Sequence, residues 1–272
     1  MLDSQQSNAK TTPKRSKKSS NRLNVPRTSY GSAKKDAKKS DYTYHHLVMD
    51  KVEKSLSFLD HDFQHEGSER FVLVEKVPDS TIKALFGKRI SEEPDADNDD
   101  DSHTHCDQCK SFYDKYCYKH PFYFVPDRKP QPGDEVNENG EQITQSEYTL
   151  PPFFEIKESD IPGAGKGVYT TMDLPVGTCF GPYKGEKKNE PNKEGYMWVV
   201  RTKTGQFYRD GVDRKKANWM RYINSARIEK EQNLIAFQFC QRIFYRVFKP
   251  IPAGRELLVC KPKGEEGATL GA

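Results

Sequence analysis

The chain has 272 residues, of which 34% are apolar and 31% are charged, with a formal net charge of +4. This length suits one substantial domain and a small one, and the charged fraction indicates that part of the chain lacks a packed core. No apolar run is long enough to span a bilayer and no hydrophobic signal region is present, so we expect no membrane contact and a cytosolic or nuclear location. In that reducing compartment the six cysteines favour thiols or metal ligands over disulfides.

Residues 1–41 form a basic, polar tail of Ser, Asn and Lys with almost no large apolar side chain. Such a composition cannot repay the entropy lost on ordering, so the sequence predicts a disordered segment. Its clusters, Pro13–Lys18, Lys34-Lys35 and Lys38-Lys39, are typical of nuclear import signals or of weak contact with nucleic-acid phosphates. A merely solvated tail explains them as well.

Residues 42–90 form a small segment with apolar side chains but no recognisable chemistry. Val48, Val52, Leu56, Leu59 and Phe63 recur at helical spacing, which predicts an amphipathic helix. A short strand is predicted at 71–74, where four apolar residues follow one another. The acidic, low-complexity run that follows, residues 91–103, is typical of a flexible linker.

Residues 104–126 contain a cluster of metal-ligating side chains. Cys106 and Cys109 form a C-x2-C pair, and Cys117 and His120 follow as a C-x2-H pair. Four such ligands suit tetrahedral Zn²⁺ and leave no open position, so the spacing predicts a structural zinc knuckle. His103 and His105 are competing ligands, but only His120 completes the second pair.

Residues 127–150, rich in Pro, Gly, Asn and Gln, are predicted to be a linker, and residues 151–260 alternate apolar and polar positions between glycine turns. The alternation predicts a hairpin over 235–247 that turns near Gln241 and Arg242, and a second pair, 198–200 with 206–208, that turns at Gly205. A short helical stretch is predicted at 218–222. The class is therefore mainly β.

Three features of this block stand out together. The glycine-rich turn Ile161–Tyr169 lies between strands, where glycines let a backbone approach a ligand closely. Tyr183, Tyr196 and Tyr245 lie on separate strands or turns, although core packing alone explains any one of them. The stretch Ala217–Arg227 is polar and aromatic without clean alternation, which is typical of a binding loop.

The block from about 153 to 260 resembles a PR/SET domain, the methyltransferase module of the PR-domain zinc-finger proteins. Within that family it resembles the branch of meiotic histone H3 lysine methyltransferases that mark recombination hotspots, which also carries a C-x2-C-x7-C-x2-H knuckle before the domain. The resemblance rests on eight ordered stretches: Ile161–Gly167, Phe180–Tyr183, Gly195–Trp198, Asn218–Tyr222, Asn224–Arg227, Glu231–Leu234, Ile243–Arg246 and Glu256–Val259.

The resemblance implies a SET-type β-clip domain that binds S-adenosylmethionine in one cleft and a histone H3 tail in a groove on the opposite face. It implies backbone contacts to the cofactor from Ala164, Gly165 and Lys166, and further contacts from Tyr196, Asn224 and Ser225. The flank of the peptide groove is implied to be Lys193, Glu194, Gly195, Tyr196, Met197, Trp198 and Val199. The channel that joins the two sites, where the target lysine enters, is implied to be lined by Tyr183 and Tyr245 as catalytic residues.

The match ends after Val259. Where the family continues with a channel tyrosine and a segment that closes over the channel, this chain has Cys260 and Lys261 and then a polar tail, residues 261–272, predicted to be disordered. An inward Lys261 about 4 Å from the substrate ammonium would repel it by roughly 4 kcal/mol at an effective dielectric near 20.

Three functions follow from these observations. The first is a nuclear protein-lysine methyltransferase that acts on a histone H3 tail in chromatin, weakened by the missing segment. The second is a PR domain without turnover that serves as a chromatin or protein binding module in transcription regulation. The third is a nucleic-acid binder that combines the knuckle with the basic tail.

Overall fold

The structure is a computed structural model, and it describes residues 43–59, 68–87, 89–90, 101–134, 136 and 139–260. The predicted tails, 1–41 and 261–272 with Lys261, and all but the end of the predicted acidic linker lie outside these residues. The described part of the chain belongs to one compact unit that begins at Tyr42. Strands dominate it, so the predicted mainly β class is confirmed.

The N-terminal segment forms a small sheet rather than the helix predicted over 48–63. The strands pair antiparallel in the order β2-β1-β3, and a short helix follows: β1 Tyr44–Asp50, β2 Ser55–Leu59, β3 Phe71–Pro78 and α1 Asp79–Leu85. Asp50 accepts two backbone N–H groups of the following turn, and Lys54 takes a φ of 44°, so the chain reverses there. The helix prediction is wrong because two short strands broken by a turn also space apolar residues three and four apart. Phe63 lies outside the described residues, and the strand predicted at 71–74 is confirmed.

The knuckle, residues 104–126, is built from short strands and turns. Strand β4, Arg89–Ile90, precedes the knuckle and extends its sheet, which has the order β4-β6-β5. The strands of the knuckle itself are β5 Thr104–Cys106, β6 Ser111–Tyr113 and β7 Tyr123–Val125. Its buried apolar cluster consists of Cys106, Tyr113 and Cys117. Tyr118 and Tyr123 pack instead against the core of the N-terminal sheet. The knuckle therefore has little hydrophobic core of its own.

The large β domain contains most of the strands. Its elements are β8 Phe154–Glu158, β9 Lys166–Thr170, β10 Thr178–Phe180, β11 Glu186–Lys188, β12 Met197–Thr202, β13 Gly205–Asp210, a 3₁₀ turn Trp219–Tyr222, β14 Asn224–Ser225, β15 Leu234–Phe239, β16 Arg242–Val247 and β17 Leu258–Val259. The main sheet has the order β14-β17-β15-β16-β10-β7, and the other sheets are β11-β13-β12 and β8-β9. Trp219, Tyr245 and Phe180 are its largest fully buried side chains. Because β7 is a strand of the main sheet, the knuckle is joined to this domain by backbone hydrogen bonds.

The predicted hairpins are confirmed. In β15 and β16, Phe237 faces Phe244 in the antiparallel register, and Cys240 and Gln241 both take positive φ at the turn. Strands β12 and β13 pair with Gly205 at the turn, where φ is 144°. The short helical stretch predicted at 218–222 is the 3₁₀ turn Trp219–Tyr222.

The predicted linker 127–150 is wrong at both ends, because these ends pack on the large domain. Helix α2, Gln145–Tyr148, begins with a capping box formed by Thr144 and Glu147. Thr149 accepts the backbone N–H of Trp219 at 3.1 Å, and Asp127 accepts the indole N–H of the same residue at 3.0 Å. Polar side chains that the composition assigns to a linker thus accept hydrogen bonds from buried donors of the core.

No helix in the described residues is long and apolar enough to cross a membrane.

Candidate active site and metal cluster

The predicted metal ligands lie together in the knuckle. The ligand atoms of Cys106, Cys109, Cys117 and His120 all lie within 4.8 Å of one another. His120 Nδ1 lies 3.4, 3.3 and 3.8 Å from the three sulfurs, in chain order, and the Cys109 and Cys117 sulfurs lie 3.7 Å apart. A zinc tetrahedron with Zn–S bonds of about 2.3 Å has edges of about 3.8 Å. The four residues therefore fit a tetrahedral zinc ion.

The competing histidine His105 points away from this cluster. Its Nδ1 lies 3.2 Å from an Asp107 carboxylate oxygen. Asp107 in turn pairs with the guanidinium of Arg246 at 2.5 Å, and Arg246 also donates to the His105 carbonyl at 3.3 Å. Arg246 follows Tyr245 on β16, so this ion pair joins the knuckle to the strand of a predicted channel tyrosine.

One cleft in the large β domain, hereafter the central cleft, brings most of the predicted site residues together. About 510 Å³ of space, open solvent included, lies between its walls. Its lining comprises Ala164, Tyr183, Glu194, Gly195, Tyr196, Trp198, Met220, Arg221, Ile223, Asn224, Ser225, Tyr245 and Val259. The elements that meet there are the glycine-rich turn, β12, the 3₁₀ turn and the strands β14, β16 and β17.

Some predicted residues lie beside the central cleft instead of lining it. Gly165 and Lys166 are exposed on the glycine-rich turn, where Gly165 takes a φ of +67°. The Lys166 carbonyl accepts a hydrogen bond from the Asn224 amide at 3.1 Å, so the turn is tied to the cleft wall. Lys193 is exposed, and Met197 and Val199 flank the lining residue Trp198 on β12.

Tyr183 and Tyr245 face each other at the inner end of the central cleft. Their ring centroids lie 6.3 Å apart with planes inclined by 38°. The Tyr183 hydroxyl donates to the Tyr196 carbonyl at 2.8 Å. The Tyr245 ring meets the indole of Trp198 edge-on at 5.6 Å. Because Tyr245 is 1% and Tyr183 5% exposed, their rings form an almost dry wall.

Burial controls the protonation of this pair. It raises the pKa of Tyr183 above its ordinary value. The pKa of Tyr245 is raised well above its ordinary value, first by burial and then by Tyr183. Both hydroxyls are therefore neutral at physiological pH. The Tyr183 hydroxyl, whose hydrogen goes to the Tyr196 carbonyl, offers a lone pair to a group in the cleft.

Four lining residues were missed as site residues: Met220, Arg221, Ile223 and Val259. The Arg221 guanidinium lies 4.3 Å from the Tyr196 ring centroid, and its Nε donates to the Gly211 carbonyl at 2.8 Å. Met220 and Arg221 belong to the Asn218–Tyr222 stretch that carries the family resemblance, but their residue types gave no binding signal. Their place in the lining depends on how the 3₁₀ turn packs.

Comparison with known proteins places the large domain in a family. The sequence model described as "PR domain zinc finger protein 2, PR domain" matches residues 154–270. Histone-lysine N-methyltransferase set-17 of Caenorhabditis elegans is 39% identical over 216 residues, which cover 78% of this chain and 74% of that protein. Histone-lysine N-methyltransferase PRDM7 of Homo sapiens is 41% identical over 179 residues, which cover 63% of this chain and 34% of that protein.

Among solved structures, the methyltransferase domain of human PR domain-containing protein 2 is 30% identical and covers 50% of this chain and 95% of that chain, with a TM-score of 0.40. The chain thus spans about three quarters of set-17 and about a third of PRDM7. The match to set-17 reaches well beyond the large β domain, because that domain alone is shorter than the 216 matched residues. The chain belongs to the PR/SET family of histone-lysine N-methyltransferases.

Proposed function

We propose that this protein transfers a methyl group from S-adenosylmethionine to a lysine of a histone H3 tail, in the nucleus and on chromatin. The observation that carries the proposal is the buried pair Tyr183 and Tyr245, which ends a cleft lined by the predicted cofactor residues. The names of the relatives support the lysine substrate and the histone. The choice of H3 rests on the resemblance of the sequence to the meiotic branch of the family.

Methyl transfer to lysine requires an uncharged amine, because an ammonium has no lone pair. S-adenosylmethionine supplies an electrophilic methyl group on a sulfonium. A channel walled by buried tyrosine rings disfavours the ammonium and favours the neutral amine. The neutral hydroxyls of Tyr183 and Tyr245 hold the amine so that its lone pair points along the line of attack. Their rings also tolerate the methylammonium product through cation–π contact.

The remaining predicted residues take supporting roles in this proposal. Ala164, Gly165 and Lys166 offer backbone groups to the cofactor, and Tyr196 packs beside it. Asn224 and Ser225 bind its amino-acid end. The segment 193–199 flanks the peptide, with Trp198 behind Tyr245. Arg221 extends the set, because it lines the cleft with its guanidinium over the Tyr196 ring.

The zinc ion in this proposal has a structural role, because Cys106, Cys109, Cys117 and His120 supply a full set of four ligands. It holds the knuckle, which packs Tyr116 against Phe239 at 5.0 Å and Phe122 against Phe237 at 5.3 Å. The domain boundaries follow the sequence prediction, 104–126 for the knuckle and 151–260 for the PR/SET domain. Asp127 and the segment 144–150 are added to the PR/SET domain because they bond its core.

The experiment compares the purified chain with Tyr245→Phe and Tyr183→Phe on an H3 peptide. Each variant is expected to lower the turnover rate or change the number of methyl groups added, because the lone pair loses one of its orienting hydroxyls. The matched control is Tyr208→Phe, since within the described residues this hydroxyl accepts one hydrogen bond, from the side chain of Gln206 on the same strand. Equal rates and products for all four proteins would contradict the proposal.

The second candidate is a binding module without turnover, favoured by Lys261 in place of the family's channel tyrosine. Lys261 lies outside the described residues, so chemistry must separate the two functions. A chain that binds cofactor and H3 peptide but yields no methylated product at high enzyme concentration is a binding module. The weak contact with nucleic acid predicted for the basic tail would instead appear as binding that falls steeply with salt and depends on residues 14–18.

A further inference from the structure

Glu256 is a buried carboxylate next to the central cleft. It is 7% exposed and precedes β17, whose Val259 lines the cleft. Arg227 interacts with it electrostatically but forms its own ion pair with Glu231. A buried carboxylate is tolerated only where hydrogen-bond donors surround it, so the identity of its donors indicates what it organises.

The donors come from the two segments predicted to hold the cofactor. Ser159 Oγ, two residues before the glycine-rich turn, donates to Glu256 at 2.8 Å. The hydroxyl of Tyr169, the last residue of that turn, donates at 3.2 Å. Asn224 Nδ2 donates at 2.9 Å from the opposite wall. The Tyr169 hydroxyl also accepts the backbone N–H of Asp160 at 2.9 Å. One carboxylate therefore ties the turn to the strand that carries Asn224.

These bonds fix the orientation of the Asn224 amide. Its Nδ2 donates both to Glu256 Oε1 at 2.9 Å and to the Lys166 carbonyl at 3.1 Å, so both amide hydrogens are used. Among the described residues, no hydrogen bond uses the carbonyl oxygen Oδ1. Since Asn224 lines the central cleft, that oxygen is the polar atom it offers to a ligand. An amide carbonyl accepts from an ammonium and repels a carboxylate.

We propose that Glu256 is a positioning residue that makes this cleft select the ammonium of the methyl donor's amino-acid end. It holds Asn224 with Oδ1 towards the cleft, and its negative charge lies directly behind that amide. The cofactor's ammonium would then add a positive charge on the cleft side of this carboxylate, which already interacts electrostatically with Arg227. This inference rests on the proposed function, since it takes the methyl donor as the ligand of the central cleft.

Gly167 provides the space for this arrangement. A Cβ at this position would lie 2.2 Å from Glu256 Oε1 and 3.3 Å from Asn224 Nδ2. Real Cβ atoms do not approach so closely, so the carboxylate would have to leave the amide. Gly167→Ala thus displaces Glu256 without changing its chemistry, which gives a second way to test its role.

The test measures binding of two probes by calorimetry, S-adenosylhomocysteine and 5′-methylthioadenosine, which lacks the amino-acid end. Glu256→Gln is expected to lower the affinity for S-adenosylhomocysteine by about tenfold to a hundredfold. The affinity for 5′-methylthioadenosine should change little. Asn224→Ala should show the same selective loss, and Glu256→Gln should add little to it in the double variant. The control is Glu155→Gln, an exposed carboxylate on β8, which should alter neither probe.

The outcomes separate this inference from the proposed function. If the wild-type chain binds neither probe, the proposed function is overturned, and so is the assignment of the methyl donor as the ligand of the central cleft. If the wild-type chain binds both probes and Glu256→Gln lowers the affinity for both equally, the role of Glu256 is merely structural. That result overturns the inference alone, and so does an unchanged affinity for both probes. If Glu256→Gln does not fold, Gly167→Ala must reproduce the selective loss. In the unsubstituted chain, the Asn224 side-chain amide hydrogens must exchange with solvent more slowly than those of Asn192, and equal rates contradict the proposal.

Discussion

The knuckle and the PR/SET domain are stabilised by different kinds of interaction. The buried cluster of the knuckle is Cys106, Tyr113 and Cys117, so two of its members are also predicted zinc ligands. The PR/SET domain instead buries Trp219, Tyr245 and a large set of aliphatic side chains. Burial of apolar area stabilises by about 25 cal/mol per Å². This term can hold the domain together, whereas the knuckle is expected to depend on a zinc ion held by its four ligands.

The two regions nevertheless meet at β16, the strand of the proposed catalytic residue Tyr245. Arg246 on β16 pairs with Asp107 of the knuckle, and its guanidinium lies over Phe122 and Phe237. The neighbouring residue Tyr245 faces the central cleft. The predicted zinc knuckle is thus attached one residue away from a predicted channel tyrosine. The following variants test how far stability in one region depends on the other.

The largest effect is expected from loss of a zinc ligand. Structural zinc sites contribute about 10–16 kcal/mol of binding free energy, so Cys117→Ser should lose the metal and open the knuckle. Metal analysis and hydrogen exchange over β5 and β6 would measure both effects. Cys240→Ser is the control, because this exposed cysteine lies at the turn of the hairpin and outside the cluster. Equal loss of protection in β15 and β16 would show that the two regions unfold as one unit.

The next effect is expected in the core of the PR/SET domain. Trp219 is fully buried, stacks on Phe154 at a centroid distance of 5.0 Å and donates to Asp127. Trp219→Ala should lower the free energy of unfolding by about 3–5 kcal/mol, because it leaves a cavity in the core and removes one of the donors of Asp127, which keeps Asn218 and Lys184 as partners. Denaturant unfolding measures this, with the exposed Met172→Ala as control. Zinc content should remain at the wild-type level until the domain unfolds. Zinc loss before that point would contradict the view that the two regions are stabilised by different interactions.

A smaller effect is expected at the contact between the regions. Hydrogen bonds to charged groups contribute about 1.5–3 kcal/mol each, so Arg246→Ala should weaken the docking of the knuckle by about that amount. Zinc affinity should fall and the two unfolding transitions should separate, while Trp219 fluorescence changes little. Arg242→Ala is the matched control, since it is exposed on the same strand. If Asp107→Asn and Arg246→Ala are fully additive in a double-mutant cycle, the ion pair does not couple the regions.

The sequence predicts local patterns of both regions and misses contacts between distant residues. Cysteine spacing and strand alternation involve neighbours in the chain, so the metal cluster and the hairpin over 235–247 follow from composition and periodicity alone. The strands at 44–59 are mistaken for a helix because short apolar runs fit both periods. Contacts such as Asp127 with Trp219 or Glu256 with Asn224 join residues far apart in the chain. Such pairs depend on tertiary packing, which a single sequence does not reveal.

The smallest effect on stability per residue is expected from a change of pH. Alkali should destabilise the PR/SET domain, whereas acid should destabilise the knuckle. Burial raises the pKa of Tyr183 and Tyr245, and that of Tyr169 to about 12. The folded domain therefore keeps these protons at a pH where the unfolded chain loses them. Stability is complete below about pH 10 and falls above it by up to about 1.4 kcal/mol per pH unit for each tyrosine.

The knuckle should lose its structure at acid pH, because acid protonates the thiolates and the imidazole that are predicted to bind zinc. Tryptophan fluorescence from pH 8 to pH 11.5 follows the PR/SET domain, and a chromogenic chelator from pH 8 to pH 4 follows zinc release. Tyr183→Phe should reduce the alkaline loss and leave zinc release unchanged. Zinc release that coincides with domain unfolding in acid would mean that metal binding and core burial support one cooperative structure, and the distinction between the regions would not hold.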